Sequence, residues 1–134
     1  NVPTPKLDEV KNQINAITDC IDNNLIQSCH DISDGGIAVA LSEMTFGNSI
    51  GCIVTVPGSL TLEKLLFSET GGFLVEIADS KIESFKNIFK NHNVQIYQIG
   101  KTSEINDIII NDKIHLNIKE AKDLWLNGLR DKIK

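Results

Sequence analysis

The sequence predicts an α+β domain with α/β layering, a mixed β-sheet covered by helices, and three observations carry that prediction. Blocks of apolar residues at helical spacing alternate with short strand-like runs. One strand runs straight into a glycine-rich turn and a helix. Near the end, two apolar runs flank Asn111-Asp112, a hairpin pair that a purely parallel sheet would not contain. With 134 residues, 41% of them hydrophobic, the chain can bury one core, so residues 1–134 are expected to form a single domain.

Taken in order, Leu7, Val10, Ile14, Ile17 and Ile21 step by three and four after a Pro3/Pro5 lead-in. They form the apolar stripe of an amphipathic helix that needs a sheet to cover. Ile26 to Ile32 read as a strand entering Ser33-Asp34-Gly35-Gly36, after which Ile37, Ala38, Ala40, Leu41 and Met44 resume the helical period. Ile50, Cys52, Val54 and Val56 alternate as a strand that Pro57-Gly58 ends. Leu62, Leu65 and Leu66 mark a short helix, Gly71-Gly72 can close it in left-handed geometry, and Phe73 to Ile77 form the next strand. Ser80 and Glu83 fit a capping box, which starts a helix near Lys81 that buries Ile82, Phe85, Ile88 and Phe89. Val94 to Ile99 read as a further strand. Ile108 to Ile110 and Ile114, Leu116 and Ile118 form a hairpin around a two-residue turn. A last helix places Ala121, Leu124, Trp125 and Leu129 on one face, before a fraying Lys-rich end.

Composition narrows the function classes. Net charge is -5, and no basic cluster interleaved with aromatic residues occurs, which argues against nucleic acid as a partner. The apolar runs fall far short of the ~20 residues of a membrane helix, and the amino terminus lacks a signal-peptide core, so a cytoplasmic protein without membrane contact is expected. Cys20, Cys29 and Cys52 match neither a zinc nor a CxxC spacing and are expected to be buried structural thiols.

The chemistry gathers in Cys29-His30-Asp31-Ile32-Ser33-Asp34-Gly35-Gly36. Two carboxylates, an imidazole and a hydroxyl surround a Gly-Gly turn at a helix amino terminus, where free N–H groups and the helix dipole favour an anion such as phosphate. Glycine there would let a ligand approach the backbone. The same residues also suit a plain tight connection in which Ser33 or Asp34 caps the helix.

The run from His30 to Met44, HDISDGGIAVALSEM, resembles the signature HDxSDGGLAVALAEM of the large subunit of phosphoribosylformylglycinamidine synthase (synthase II), in its carboxy-terminal domain. Leu66-Phe67-Ser68-Glu69-Thr70 resembles that family's LFSES segment, and Ile99-Gly100 its IG step. The similarity spans roughly the whole chain, including a Trp-bearing final helix. Relatives in the wider aminoimidazole ribonucleotide synthase-related superfamily carry TGGG, TGFG, SDGL or TRGG at the turn. One departure stands out: Gly71-Gly72-Phe73 follows where the synthases usually have an Arg, so a phosphate contact by that Arg is not carried over.

The resemblance implies an aminoimidazole ribonucleotide synthase C-terminal-domain-like fold and a carboxy-terminal fragment of a longer ATP-dependent C–N ligase of purine biosynthesis. The implied reaction converts formylglycinamide ribonucleotide, ATP and glutamine-derived ammonia to the formylglycinamidine ribonucleotide, ADP and phosphate. It implies ATP and Mg2+ as cofactors of the full-length enzyme. The implied partners are the amino-terminal domains of the same chain, a glutaminase subunit, a small accessory subunit and the ribonucleotide substrate. The isolated domain is expected to be inactive, forming one wall of a cleft, and its uncovered apolar surface favours a dimer. Whether that wall serves the catalytic or the auxiliary nucleotide site stays open, and so do two other readings. The first is a non-catalytic nucleotide-binding or interaction module; the second is another superfamily member such as aminoimidazole ribonucleotide synthase.

The candidate substrate- or nucleotide-binding residues are His30, Asp31, Ser33, Asp34, Gly35, Gly36, Ser68 and Glu69. No catalytic residue and no metal ligand is assigned. Asp34 beside a phosphate is repelled unless Mg2+ or a hydroxyl intervenes, which leaves the binding to Gly35 and Gly36. Glu43 is expected to be solvated or salt-bridged, and neither His92 nor His115 receives a role.

Overall fold

A computed structural model describes residue 4, residues 6–128 and residue 130. The Pro3/Pro5 lead-in, Leu129 and the Lys-rich end of the sequence lie outside those residues. The elements run α1 (Leu7–Asp22), β1 (Ile26–Asp31), α2 (Gly36–Thr45), β2 (Gly51–Val54), α3 (Leu62–Phe67), β3 (Phe73–Ile77), α4 (Ile82–Asn91), β4 (Gly100–Ser103), β5 (Asp107–Ile110), β6 (Ile114–Asn117) and α5 (Ile118–Asn127).

The strands fall into two sheets. One has four strands in the order β4-β2-β5-β6, with β2 and β5 parallel and the outer pairs antiparallel. The other is the antiparallel pair β1-β3. The mixed pairing follows from the hairpin: Asn111 and Asp112 both take φ of 53°, as their short polar side chains permit, and turn β5 back into β6. The loop between the paired Ile110 and Ile114 is three residues, one more than expected, because Lys113 stays in the turn and donates its N–H to the Ile110 carbonyl.

Instead of the single expected core there are two. Ala38, Leu41, Phe46, Cys52, Val54, Val56, Leu66, Ile108, Ile110 and Ile118 close the larger one around the four-stranded sheet, α2 and α3. Ala16, Ile17, Cys20, Phe85 and Phe89 close the smaller one between α1 and α4, with the Phe85 and Phe89 rings stacked at 4.5 Å. Strand β3 is the wall they share: Leu74 packs into the larger core, and Phe73, Val75 and Ile77 into the smaller, as a period of two requires. His92, just past α4, reaches Asp19 of α1 at 2.6 Å and ties the two helices at the surface.

Several expectations change. The α1 stripe is only partly covered: Ile17 is buried, but Leu7 is 79% and Ile14 49% exposed, and Val10 and Ile21 are exposed too. The small residues Ala16 and Cys20 make the close contact instead. Val94 to Ile99 form no strand, because their side chains reach both cores while their backbone joins no ladder short of the Ile99 carbonyl, which accepts the Thr55 N–H; pairing begins at Gly100. The Ser80/Glu83 capping box does not form, since a 3-10 turn over Asp79–Lys81 leads into α4. Gly71 and Gly72 do take positive φ, 80° and 121°, but in the loop before β3; α3 ends earlier, at the extended Ser68. Ile118 starts α5 rather than extending the hairpin, and Asn117 caps that helix by accepting the N–H groups of Lys119 and Glu120. Cys20 and Cys52 are buried as expected, whereas Cys29 is exposed on β1.

Candidate functional site

The candidate residues meet where β1 ends and α2 begins. Strand β1 pairs with β3 through a register shift between Ile26 and Ser28, so Gln27 has no partner. Past that point Ser28 and His30 stand opposite Glu76 and Leu74, on the face of the pair turned toward α2. Ser28 donates to the Glu76 carboxylate at 2.9 Å. At the strand's end the Ile32 N–H still bonds the Gly72 carbonyl, which fixes where the turn starts.

The turn is built by glycine and not by a side-chain cap. Gly35, at φ 77°, is the N-cap of α2, and neither the Ser33 nor the Asp34 side chain makes a capping bond there. This corrects the expectation that Asp34 or Ser33 caps the helix: the left-handed Gly35 already folds the chain back, with Gly36 N–H on the Ser33 carbonyl at 3.0 Å. Gly36, at φ 65°, is tight for a reason other than ligand access. A Cβ there would stand 2.5 Å from the Leu66 carbonyl oxygen and 3.0 Å from Phe67 backbone, so Gly36 allows α2 and α3 to touch.

That contact brings the second sequence block to the first. Glu69, just beyond α3, accepts the Gly35 N–H at 3.0 Å, so a carboxylate stands at the amino terminus of α2, where the helix dipole favours negative charge. Ser68 turns away and bonds the Lys64 carbonyl within its own helix. Asp31, Ser33 and Asp34 are exposed around the turn. Among the described residues no group of three or more His, Cys, Asp or Glu side chains is arranged to hold a metal ion.

His30 is the most constrained member. Its Nδ1 lies 2.7 Å from the Asp31 carbonyl oxygen and 3.6 Å from the Asp31 carboxylate, and its Nε2 lies 3.2 Å from Glu43 Oε2 on α2. The other Glu43 oxygen accepts the indole N–H of Trp125 at 2.9 Å. Glu43 is therefore partnered, and its partners are a candidate site residue and a residue of α5. Trp125 was assigned only to an apolar helix face, and its link to the site spans 82 positions, which no local spacing could announce. His115 is exposed on the hairpin. The exposed Cys29 and the buried Cys52 both have thiols raised above the ordinary range, by burial in each case and, for Cys29, also by the charge of Asp31.

Residues 1–113 match the model of the family described as AIR synthase related protein, C-terminal domain. Among curated proteins, the chain is 30% identical over its whole length to phosphoribosylformylglycinamidine synthase subunit PurL of Methanothrix thermoacetophila, of which it covers 18%. It is 35% identical to the subunit of the same name in Thermoplasma acidophilum, over 96% of this chain and 17% of that protein. The chain thus spans about a fifth of the length of these relatives. Among solved structures, PurL of Thermotoga maritima complexed with ATP superposes with a TM-score of 0.77 at 16% identity, over 90% of this chain and 23% of that one. The PurLQS structure from the same organism gives 0.79 at 18% identity, over 89% and 22%. These likenesses show a shared fold: the mixed-sheet, helix-covered architecture read from the sequence.

Proposed function

The chain belongs to the AIR synthase related C-terminal domain family, and from that premise we propose that it is the carboxy-terminal domain of a phosphoribosylformylglycinamidine synthase, acting in purine biosynthesis. The observation that carries the proposal is the meeting of two distant sequence blocks: the HDISDGG turn and the LFSET segment touch through Gly35 N–H and the Glu69 carboxylate. Relatives of the same name support it, and so does the fold shared with PurL structures holding ATP and FGAR.

In the proposed reaction ATP activates the amide oxygen of formylglycinamide ribonucleotide, and ammonia displaces it to give the amidine, ADP and phosphate. This chain contributes one wall of the cleft. Its part is binding and orientation: His30 and Asp31 at the end of β1 face the substrate or nucleotide, Ser33 and Asp34 offer polar contacts, and the amino terminus of α2 favours an anion. Glu69 holds Gly35 N–H in this structure, so a phosphate would reach that group by displacing the carboxylate. Ser68, bonded back to its own helix, supports the loop. Among the described residues the donors do not by themselves fit Mg2+, so other ligands would come from elsewhere in the full-length polypeptide and no step is derived through it.

The proposed partners are the amino-terminal domains of the same polypeptide, a glutaminase subunit and a small accessory subunit. Among the described residues no helix is long and apolar enough to cross a membrane, in keeping with a proposed cytoplasmic location.

The test is complementation of a purine auxotroph by the full-length polypeptide carrying Asp31→Ala or Glu69→Gln. Slowed growth with Asp31→Ala, at wild-type protein level, is expected. Normal growth with both variants would remove the turn from function and favour a non-catalytic module. Gly36→Val is unsuitable as a probe, because the added atoms meet the backbone of α3 before any ligand.

A further inference from the structure

We infer that Glu43 and Trp125 are positioning residues for His30, so that helix α5 sets the geometry of the candidate site from behind. The inference rests on the reading of the β1–α2 turn as a ligand site and adds two residues to it.

The argument starts from the ring. Both nitrogens of His30 lie near oxygen acceptors, Nδ1 at 2.7 Å from the Asp31 carbonyl and Nε2 at 3.2 Å from Glu43 Oε2, so the carboxylate stands against the far end of the ring. Holding the far end requires a carboxylate that is itself fixed. A glutamate on a helix surface samples several rotamers, and ordering it costs entropy unless a second contact shares the cost. The Trp125 indole supplies that contact: it only donates, through one N–H, and that N–H meets Glu43 Oε1 at 2.9 Å. Each carboxylate oxygen therefore has its own partner, and the Glu43 rotamer is fixed from two directions.

The indole is fixed in turn. Its ring packs on Phe46 with centroids 5.7 Å apart at 55°, and Phe46 is buried in the larger core. One turn earlier in α5, Lys122 donates to the Phe46 carbonyl at 2.7 Å. These contacts lay α5 against the carboxyl end of α2, with Trp125 held from one side and 58% exposed on the other. Helix α5 also lies past residue 113, where the family match ends. Trp125 thus supports the site from outside the part of the chain that the family model describes, whereas Glu43 lies within it.

The experiment uses the full-length polypeptide that carries this chain and measures kcat/KM for ammonia-dependent amidine formation together with the thermal midpoint. His30→Ala, Glu43→Gln, Trp125→Phe and the Glu43→Gln/Trp125→Phe double variant are compared. Trp125→Phe keeps an aromatic ring on Phe46 but removes the donor. Each single variant is expected to lower kcat/KM about tenfold, below the ~10²-fold that a misplacement of about 1 Å can cost. The double variant should be no worse than Glu43→Gln alone, because Trp125 acts through Glu43. A purely structural role would move the thermal midpoint and give additive losses.

If His30→Ala leaves kcat/KM unchanged, the turn is not the site, and the assignment falls with that reading. If His30→Ala lowers it while Glu43→Gln and Trp125→Phe do not, or if their losses add, the positioning role alone is overturned. Should Trp125→Phe loosen α5, Glu43→Asp decides: it keeps the charge but shortens the reach by one carbon, and a wild-type kcat/KM would overturn the assignment.

Discussion

Around the four-stranded sheet ten buried residues close a core that α2 and α3 cover, while between α1 and α4 only five do so over a two-stranded sheet. The larger half also carries the polar contacts of the candidate site, from Glu69 through Gly35 and from His30 through Glu43 to Trp125. The smaller half keeps much of the α1 stripe in solvent. A two-stranded ribbon is marginal alone, so α1, α4 and β1 depend on β3 being held from its other face by the larger core. The site sits at that dependence, since His30 belongs to β1 while its support comes from α2.

The contrast is broken most forcefully at Leu66, which is fully buried in the larger core. Leu66→Ala should cost about 2–5 kcal/mol, seen as a lower urea midpoint shared by all probes of folding. A transition confined to α1 and α4 would show instead that the halves unfold separately. Next comes Gly36→Ala, which combines a positive φ with a contact on the Leu66 carbonyl. A cost of about 1–3 kcal/mol is expected from the backbone strain, measured in the same way.

The smaller half is probed through Cys20. Burial, and secondarily the charge of Asp19, pushes its thiol from 9.0 up to about 11. The folded pKa is raised, so the unfolded chain releases the proton first as pH rises. The contribution to stability is therefore intact below the unfolded value of 9.0 and is lost as pH climbs toward about 11. Urea midpoints should fall over that window more in the wild type than in Cys20→Ala, and equal slopes would contradict the assignment. The smallest effect is expected at Leu7, whose side chain is 79% exposed. Leu7→Ser should stay within about 0.5 kcal/mol in urea unfolding. A larger loss would mean that the α1 stripe is covered in solution, as by a second copy of the chain.

Local chemistry made much of this molecule legible. The helical periods located the five α-helices among the described residues, Asn111-Asp112 announced the hairpin, and the glycines after Asp34 announced the turn. The misreadings share one cause. Alternation says which face of a segment is apolar but not what lies beside its backbone, so Val94 to Ile99 looked like a strand without a ladder to join. Periodicity likewise gave α1 a stripe without naming its cover. In the candidate site, the motif itself was readable, whereas Glu43 and Trp125 joined it only through a contact between distant helices. Gly36 was readable as necessary, but for a ligand; the necessity lies in the backbone of α3.

The unpaired Gln27 has a bookkeeping consequence for β1. Ile26 and Ser28 have the same parity in the sequence, yet Ile26 pairs with Ile77 of the smaller core's wall and Ser28 with Glu76 on the opposite face. The strand is read in two frames, and the change of frame falls on one residue. Removing Gln27 would leave both frames in step with β3, whereas removing Cys29 would slide Ser28 and Gln27 by one position against the anchored turn and take Ser28 off Glu76. Length variation in this strand is therefore tolerable at one position and disruptive two residues later.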